Sequence, residues 1–178
     1  MSLPLKLLAV VVAAAVFPVA AIASDALVAD LEQRLSRQGA DKVNEYLSGS
    51  FDMVALNEST ARCELQAVSL SIQLARGSRS KAVDAHREAL RAAAGSCTGF
   101  VLALLSPKEV PTFCASVSSW TVGQMARELR RRIKSIEGDE LLRSTQRGKA
   151  CRAAYLYELN NTRVGLRVGP AGSTPPAR

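Results

Sequence analysis

Four cysteines, all downstream of an N-terminal apolar segment, constrain the fold more than any other feature of this sequence. Lys6 precedes an apolar run over residues 7–19, and Ala21 and Ala23 complete the small-x-small pattern that signal peptidase cleaves. We expect residues 1–23 to be a signal peptide, because the run is too short and too rich in alanine for a stable membrane anchor. An exported chain enters an oxidising compartment, where its cysteines are expected to pair as disulfides.

The pairing of the cysteines is not fixed by their number, since four cysteines allow three connectivities. If the helices on either side of residues 77–78 run antiparallel, Cys63 lies opposite Cys97, which favours this pair. Cys114 and Cys151 would then join a proline-containing loop to the last helix. A zinc site or a redox-active pair is disfavoured, because the sequence has no C-x-x-C motif and one histidine. We therefore expect no metal and no cofactor.

The composition favours an all-α protein. Hydrophobic residues make up 48% of the chain but aromatic residues only 4%, with alanine and leucine the main contributors. Such a composition suits closely packed helices better than a β-sandwich, which needs more β-branched and aromatic residues. About 155 residues follow the signal peptide, enough for one domain. We predict a compact bundle of about five to six helices with two disulfides over residues 24–163, and a disordered tail over residues 164–178.

Apolar residues at helical spacing predict where the helices lie. We predict helices over residues 26–38, 41–47, 60–76 and 81–105, a loop over residues 106–120, a helix ending at Gly138, and a last helical region interrupted near Gly148. Thr121 and Gln124 match a capping box at the start of the helix after the loop. Gly95 and Gly99 are both expected to let another backbone approach closely. The side chains expected to face inward include Tyr46, Phe51, Val54, Leu56 and Val122.

Charge is unevenly distributed along the chain, whose formal net charge is +7. Residues 24–60 carry seven acids against three bases, whereas residues 121–152 carry nine bases against four acids. This asymmetry suits docking with a charged protein or with an anionic envelope surface. Nucleic-acid binding is disfavoured, because the chain is exported and lacks an aromatic stacking platform. Arg127, Arg130 and Arg131 form either a solvated helix face or a partner contact, and Trp120 either packs against Met125 or anchors a partner.

The sequence offers no credible catalytic constellation. His86 is the only imidazole, and its place on an apolar helix stripe favours a hydrogen-bonded structural histidine. Asp84 precedes it by two residues and would point away from it on a helix. A hydrolase needs a nucleophile with a base, paired carboxylates or a metal. We therefore predict that the protein is not an enzyme; an enzymatic alternative would rest on His86 and a nearby acid.

Three short segments resemble one family of small exported bacterial proteins. They are residues 97–103, which begin C-x-G-aromatic, residues 113–114 after a loop, and residues 120–124, a threonine-capped helix start with glutamine in its first turn. Over residues 95–137 the chain is similar to the Tai-like, resistance-associated amidase-immunity proteins of type VI secretion. The resemblance implies a periplasmic, helical, disulfide-bonded protein, often a homodimer, that blocks a peptidoglycan-cleaving amidase delivered by neighbouring cells.

On this resemblance, we expect an immunity protein that inhibits an amidase by covering its active site. The loop over residues 106–120 is the expected contact element, because prolines and Cys114 stiffen it. The expected partner-binding residues are Pro107, Lys108, Glu109, Pro111, Phe113, Trp120, Arg127 and Arg131. The alternative is a general periplasmic structural or chaperone-like module that uses its exposed arginines to bind acidic partners.

Overall fold

The computed structural model describes residues 19–167, with side chains described from Asp25 to Thr162. Over this range the chain forms ten helices and no strand, which confirms the all-α fold but exceeds the expected five to six helices. In chain order they are α1 (Val19–Gln38), α2 (Ala40–Leu47), α3 (Phe51–Ala61), α4 (Leu65–Leu74), α5 (Lys81–Ser96), α6 (Thr98–Leu104), α7 (Val110–Phe113), α8 (Val122–Gly138), α9 (Glu140–Ser144) and α10 (Gln146–Arg167). None of these helices is both long and apolar enough to cross a bilayer.

The helices pack around two hydrophobic cores that meet at α4. The smaller core is built from α1 to α5, and Leu70 is its contribution from the middle of α4. The larger core extends from α4 to α10, and Val68 and Ile72 enter it from the other side of α4. A helix that buries two faces needs a wide apolar stripe, which α4 provides with Ala67, Val68, Leu70, Ile72 and Leu74. The division places the proline-containing loop and the basic helix α8 on the larger core.

The segment predicted as one helix over residues 60–76 is two helices, because α3 ends just before Cys63. Cys63 has a φ of 68°, in the left-handed region that costs a residue with a side chain about 1 kcal/mol. Its N–H donates to the carbonyl of Thr60 at 2.9 Å, and the N–H of Glu64 donates to the carbonyl of Ser59 at 3.1 Å. These are the two hydrogen bonds of a Schellman motif. The helix therefore ends without the glycine that would have marked its end in the sequence.

The second long predicted helix, over residues 81–105, is also broken at a cysteine. Cys97 lies between α5 and α6 with φ −131° and ψ 52°. Cys63 bonds to Cys97 and Cys114 bonds to Cys151, with Cα–Cα distances of 6.2 and 5.2 Å. Both favoured pairings are confirmed. The first bridge joins the α3–α4 junction to the α5–α6 junction, and the second joins the end of α7 to α10.

The burial predicted for Phe51 and Val54 is wrong, because these two residues are 94% and 54% exposed. The Ser50 side chain caps α3 by accepting a hydrogen bond from the Met53 N–H at 3.2 Å, so the helix begins at Phe51. Three turns of regular helix then turn a different row of residues inward. The buried row is Met53, Leu56 and Thr60.

Two further side chains predicted to face inward, Tyr46 and Val122, are 45% and 47% exposed. On α2 the buried row includes Leu47, and on α8 Val122 is the first residue, ahead of the part of the helix that reaches the core. The predicted capping box is confirmed. The Gln124 N–H donates to Thr121 Oγ1 at 3.3 Å and the Thr121 N–H donates to Gln124 Oε1 at 2.8 Å, and α8 ends at Gly138 as expected.

The predicted signal peptide and the predicted tail lie only partly within the residues that the structure describes. Residues 19–23, the last of the predicted signal peptide, belong to α1, and residues 1–18 lie outside the range. The interruption expected near Gly148 lies at Thr145, between α9 and α10. Helix α10 continues to Arg167, past residue 164 where the tail is predicted to begin, and residues 168–178 lie outside the range.

Candidate functional site

Residues 106–120, here called the proline loop, connect α6 to α8 and contain six of the eight predicted partner-binding residues. The loop includes a short helix that the sequence did not predict, α7, with Pro111 in its first turn. Val110, Phe113 and Cys114 are buried in the larger core. Because Cys114 is also bonded to Cys151 on α10, the middle of the loop is fixed to the core.

Glu109 fixes the first half of the proline loop. Its carboxylate accepts hydrogen bonds from the Arg76 guanidinium at 2.7 and 3.1 Å and from the Ser106 N–H at 2.8 Å. The hydrogen bond from Arg76 is the main cause that lowers the pKa of Glu109 to about 2. With its side chain only 24% exposed, Glu109 is committed to holding the loop instead of facing a partner.

Carboxylates from two other helices hold the second half of the proline loop. The Ser116 N–H donates to Glu158 of α10 at 2.5 Å. The Ser118 hydroxyl donates to Glu88 of α5 at 2.7 Å, and the Ser118 N–H donates to the same carboxylate oxygen. These bonds satisfy backbone groups that regular secondary structure would otherwise pair. The conformation of the loop is thus set by α5 and α10, at positions far from it in the sequence.

The proline loop borders two largely apolar grooves. The first groove, of about 770 Å³, lies between the loop, α8 and α10, and the second, of about 490 Å³, lies between the loop, α6 and α9. Pro111 lines the first groove and Pro107 the second. Each groove also has a large apolar side chain open to solvent, Tyr157 at 70% and Leu141 at 73% exposure. Neither residue is predicted as a contact from the sequence, because nothing in the chain marks which apolar helix positions stay uncovered.

A third groove, here called the arginine groove, has a volume of about 330 Å³ and lies at the start of α8. It brings together three predicted partner-binding residues, Trp120, Arg127 and Arg131, with Gln124 and Glu128. Arg131 donates to the Glu128 carboxylate, and this hydrogen bond is the main cause that lowers the pKa of Glu128. Arg127 is exposed at the rim of the groove.

Beneath Trp120 lies Arg132, a residue that the sequence analysis did not single out. Its residue is 2% exposed, and its guanidinium lies 4.8 Å from the centroid of the Trp120 ring. It donates to the carbonyl of Arg91 at 2.7 Å, to Glu128 at 3.1 Å and to the Tyr155 hydroxyl at 3.3 Å. Its spacing could have revealed it, since position 132 shares a helix face with the buried positions 129, 133 and 136. Arg132 thus packs against Trp120, the last residue of the proline loop.

His86 lies away from the three grooves and is completely buried. Its Nδ1 is 3.0 Å from Oδ1 of Asn57, and burial lowers the pKa of the imidazole to about 4. A neutral, hydrogen-bonded ring fits the structural role predicted for this histidine. Across the described side chains, no group of three or more His, Cys, Asp or Glu residues is placed to hold a metal ion.

The predicted partner-binding residues divide by where their side chains lie. Pro107, Lys108 and Pro111 are exposed on the proline loop, and Trp120, Arg127 and Arg131 line the arginine groove. Glu109 is occupied by its ion pair with Arg76. Phe113 is 3% exposed in the larger core, so the expectation that it contacts a partner does not fit its burial. No protein-family model, curated protein or solved structure matches this chain.

Proposed function

We propose that this chain is an exported binding protein that blocks a peptidoglycan-cleaving amidase. It covers the active site of the amidase with its proline loop. The observation that carries the proposal is that the loop is fixed at both halves and at its middle, yet exposes Pro107, Lys108 and Pro111. A loop that is ordered before binding loses little conformational entropy in the complex, as rigid enzyme inhibitors require. The resemblance of residues 97–103, 113–114 and 120–124 to amidase-immunity proteins supports the choice of enzyme.

The two apolar grooves supply the hydrophobic part of the proposed contact. Tyr157 and Leu141 are exposed beside the loop, and covering each would contribute about 1.5–3 kcal/mol. Exposed aromatic side chains next to a pocket are frequent binding hot spots. Arg127, at the rim of the arginine groove, would add charge complementarity and speed association with an acidic partner surface.

The covalent chemistry of the chain supports the proposed compartment. Two disulfides are typical of proteins from an oxidising, exported compartment. A cell-wall amidase acts in the same compartment, which for a bacterium with an outer membrane is the periplasm. The proposed inhibitor and its target would therefore meet without either one crossing a membrane again.

One observation favours a second candidate function, a general module that binds acidic or unfolded chains. Arg127, Arg130 and Lys134 are exposed at helical spacing on the solvent face of α8. Such a surface would bind many partners weakly, and its affinity would fall steeply with salt because exposed charges are screened. The amidase inhibitor should instead form one tight complex whose affinity depends on the apolar grooves.

The test is a matched pair of exposed aromatic substitutions. The chain is titrated by calorimetry against a panel of purified peptidoglycan amidases, beginning with any encoded beside its gene, and residual amidase activity is measured. We expect one amidase to be bound and inhibited, with Tyr157→Ala weakening binding by about tenfold or more. Phe51→Ala removes an aromatic that is 94% exposed on α3 and should leave binding unchanged. Inhibition of no amidase, or equal losses for both variants, would contradict the proposal.

A further inference from the structure

The two disulfides of this protein differ in how far they are open to solvent. Cys114 and Cys151 are both 0% exposed and belong to the larger hydrophobic core. Cys63 and Cys97 are only partly buried at the edge of the same core. Thiol–disulfide exchange requires a thiolate to reach a sulfur atom, so exposure separates a bridge that can be attacked in the folded state from one that cannot.

The surroundings of the partly buried bridge, Cys63–Cys97, also suit a reduced state. Both cysteines lie at helix junctions, so neither is held within a regular helix. The carbonyl oxygen of Ala93 lies 3.2 Å from Cys97 Sγ and 3.8 Å from Cys63 Sγ. Once the bridge is reduced, this oxygen is an acceptor within reach of the Cys97 thiol.

We propose that Cys63–Cys97 is a thiol-exchange site for a protein dithiol of the exported compartment, whereas Cys114–Cys151 is a permanent cross-link. A thiolate of the dithiol attacks one sulfur of the bridge, forming a mixed disulfide and releasing the other cysteine as a thiolate that takes up a proton. The second thiol of the dithiol loses its proton and attacks the mixed disulfide, which releases and protonates the first cysteine. The dithiol is oxidised to a disulfide, and Cys63 and Cys97 are reduced to two thiols.

The consequence for the molecule follows from what each bridge connects. Reduction of Cys63–Cys97 removes the covalent link between the α3–α4 junction and the α5–α6 junction. The proline loop keeps its buried bridge to α10 and its carboxylate hydrogen bonds. The exchange site therefore removes a cross-link at the edge of the larger core while the proposed binding surface stays in place. This inference does not depend on which partner the proline loop binds.

The first experiment uses the oxidised, folded chain with dithiothreitol as the reductant. Samples are quenched with N-ethylmaleimide over time, and labelling at each cysteine is measured by peptide mass spectrometry. We expect Cys63 and Cys97 to be labelled about tenfold faster than Cys114 and Cys151, at a rate proportional to the dithiothreitol concentration. The proposal fails if both bridges open together, or if the rate at Cys63 and Cys97 is independent of reductant, because the fold would then have to open first.

The second experiment tests the protein dithiol and the division between the bridges. A C-x-x-C oxidoreductase whose second cysteine is replaced by serine should be trapped as a mixed disulfide at Cys63 or Cys97, and no trapping would overturn the assignment of the reactant. Trp120 is the only tryptophan of the chain and lies at the end of the proline loop, so its fluorescence reports on the loop. Its emission should be unchanged when only Cys63–Cys97 is reduced. A shift towards the emission of the unfolded chain would show that the loop depends on this bridge and would refute the proposed separation.

Discussion

Because His86 binds a proton more readily in the unfolded chain than when buried, we expect the fold to lose about 2 kcal/mol of stability between pH 7.5 and pH 5.0. In the folded state burial lowers the pKa of the imidazole from 6.5 to about 4. Its Nδ1 carries the proton that is donated to Asn57 Oδ1, so protonation would place a charge on the buried ring at Nε2. The unfolded chain binds that proton more readily, so stability is complete above pH 6.5 and is lost as the pH falls towards 4.

The magnitude follows from the difference between the two pKa values. Each pH unit in the window between them costs about 1.4 kcal/mol, and at pH 5.0 the unfolded chain is almost fully protonated at His86 whereas the folded chain is not. Glu109 and Glu128, whose pKa values are lowered in the fold, lose their stabilisation only as the pH falls below 4.5. The chain has one histidine, so His86 is the only imidazole that can contribute to this pH dependence.

The measurement is urea unfolding at both pH values with the disulfides intact. The wild-type chain should lose about 2 kcal/mol of unfolding free energy between pH 7.5 and 5.0. His86→Gln keeps a side chain that can donate to Asn57 but cannot gain a charge, so its unfolding free energy should change by less than about 0.5 kcal/mol. Equal stability of the wild type at both pH values, or an unchanged slope in His86→Gln, would refute the reasoning.

Three further predictions concern the same unfolding free energy at pH 7.5. Gly95→Ala should cost about 1–3 kcal/mol, because the added methyl group would overlap the Arg132 guanidinium. Gly99→Ala should be neutral or stabilising, because the nearest atom to its methyl group would lie at 3.6 Å. Equal effects of the two substitutions would contradict the packing of Arg132 against Gly95. Arg132→Met should cost about 3 kcal/mol, because it removes a buried cation from its carboxylate and carbonyl partners. Arg130→Met, at an exposed position, should cost less than about 0.5 kcal/mol. A small loss for Arg132→Met would mean that the ion pair between Arg132 and Glu128 is not buried in solution. Cys63→Gly and Cys63→Ala both remove the first bridge. The glycine variant should be more stable by about 1 kcal/mol, because glycine adopts a φ of 68° without steric cost. Equal stabilities would show that the backbone at this junction relaxes.

The sequence indicated those features that depend on local spacing and chemistry. Helix α8 shows this most clearly: its capping box at Thr121 and its end at Gly138 are both visible in the chain. The disulfide between Cys63 and Cys97 followed from the antiparallel arrangement of the segments around residues 77–78. Both rest on contacts between residues close in sequence, or on a single hairpin, so a pattern along the chain contains the information.

The helix breaks at Cys63 and Cys97 could not be predicted in the same way. Neither break has a glycine or proline, and the left-handed conformation of Cys63 is compatible with a side chain only because the bridge and the Schellman hydrogen bonds hold it. The same limit applies to Gly95 and Gly99, which are equivalent in sequence. Only the packing of Arg132 against Gly95 distinguishes them.

The features of the candidate site can also be separated into those that the sequence predicts and those that depend on tertiary packing. Composition and spacing determined by themselves that this is an all-α, disulfide-bonded chain with a stiff proline loop and a basic helix beside it. Tertiary structure alone decided that Phe113 is buried, that Glu109 is occupied by Arg76, and that Tyr157 is left exposed beside a groove. The physical reason is that burial at these positions depends on which distant helix lies against them, and a local pattern of residues does not contain that information.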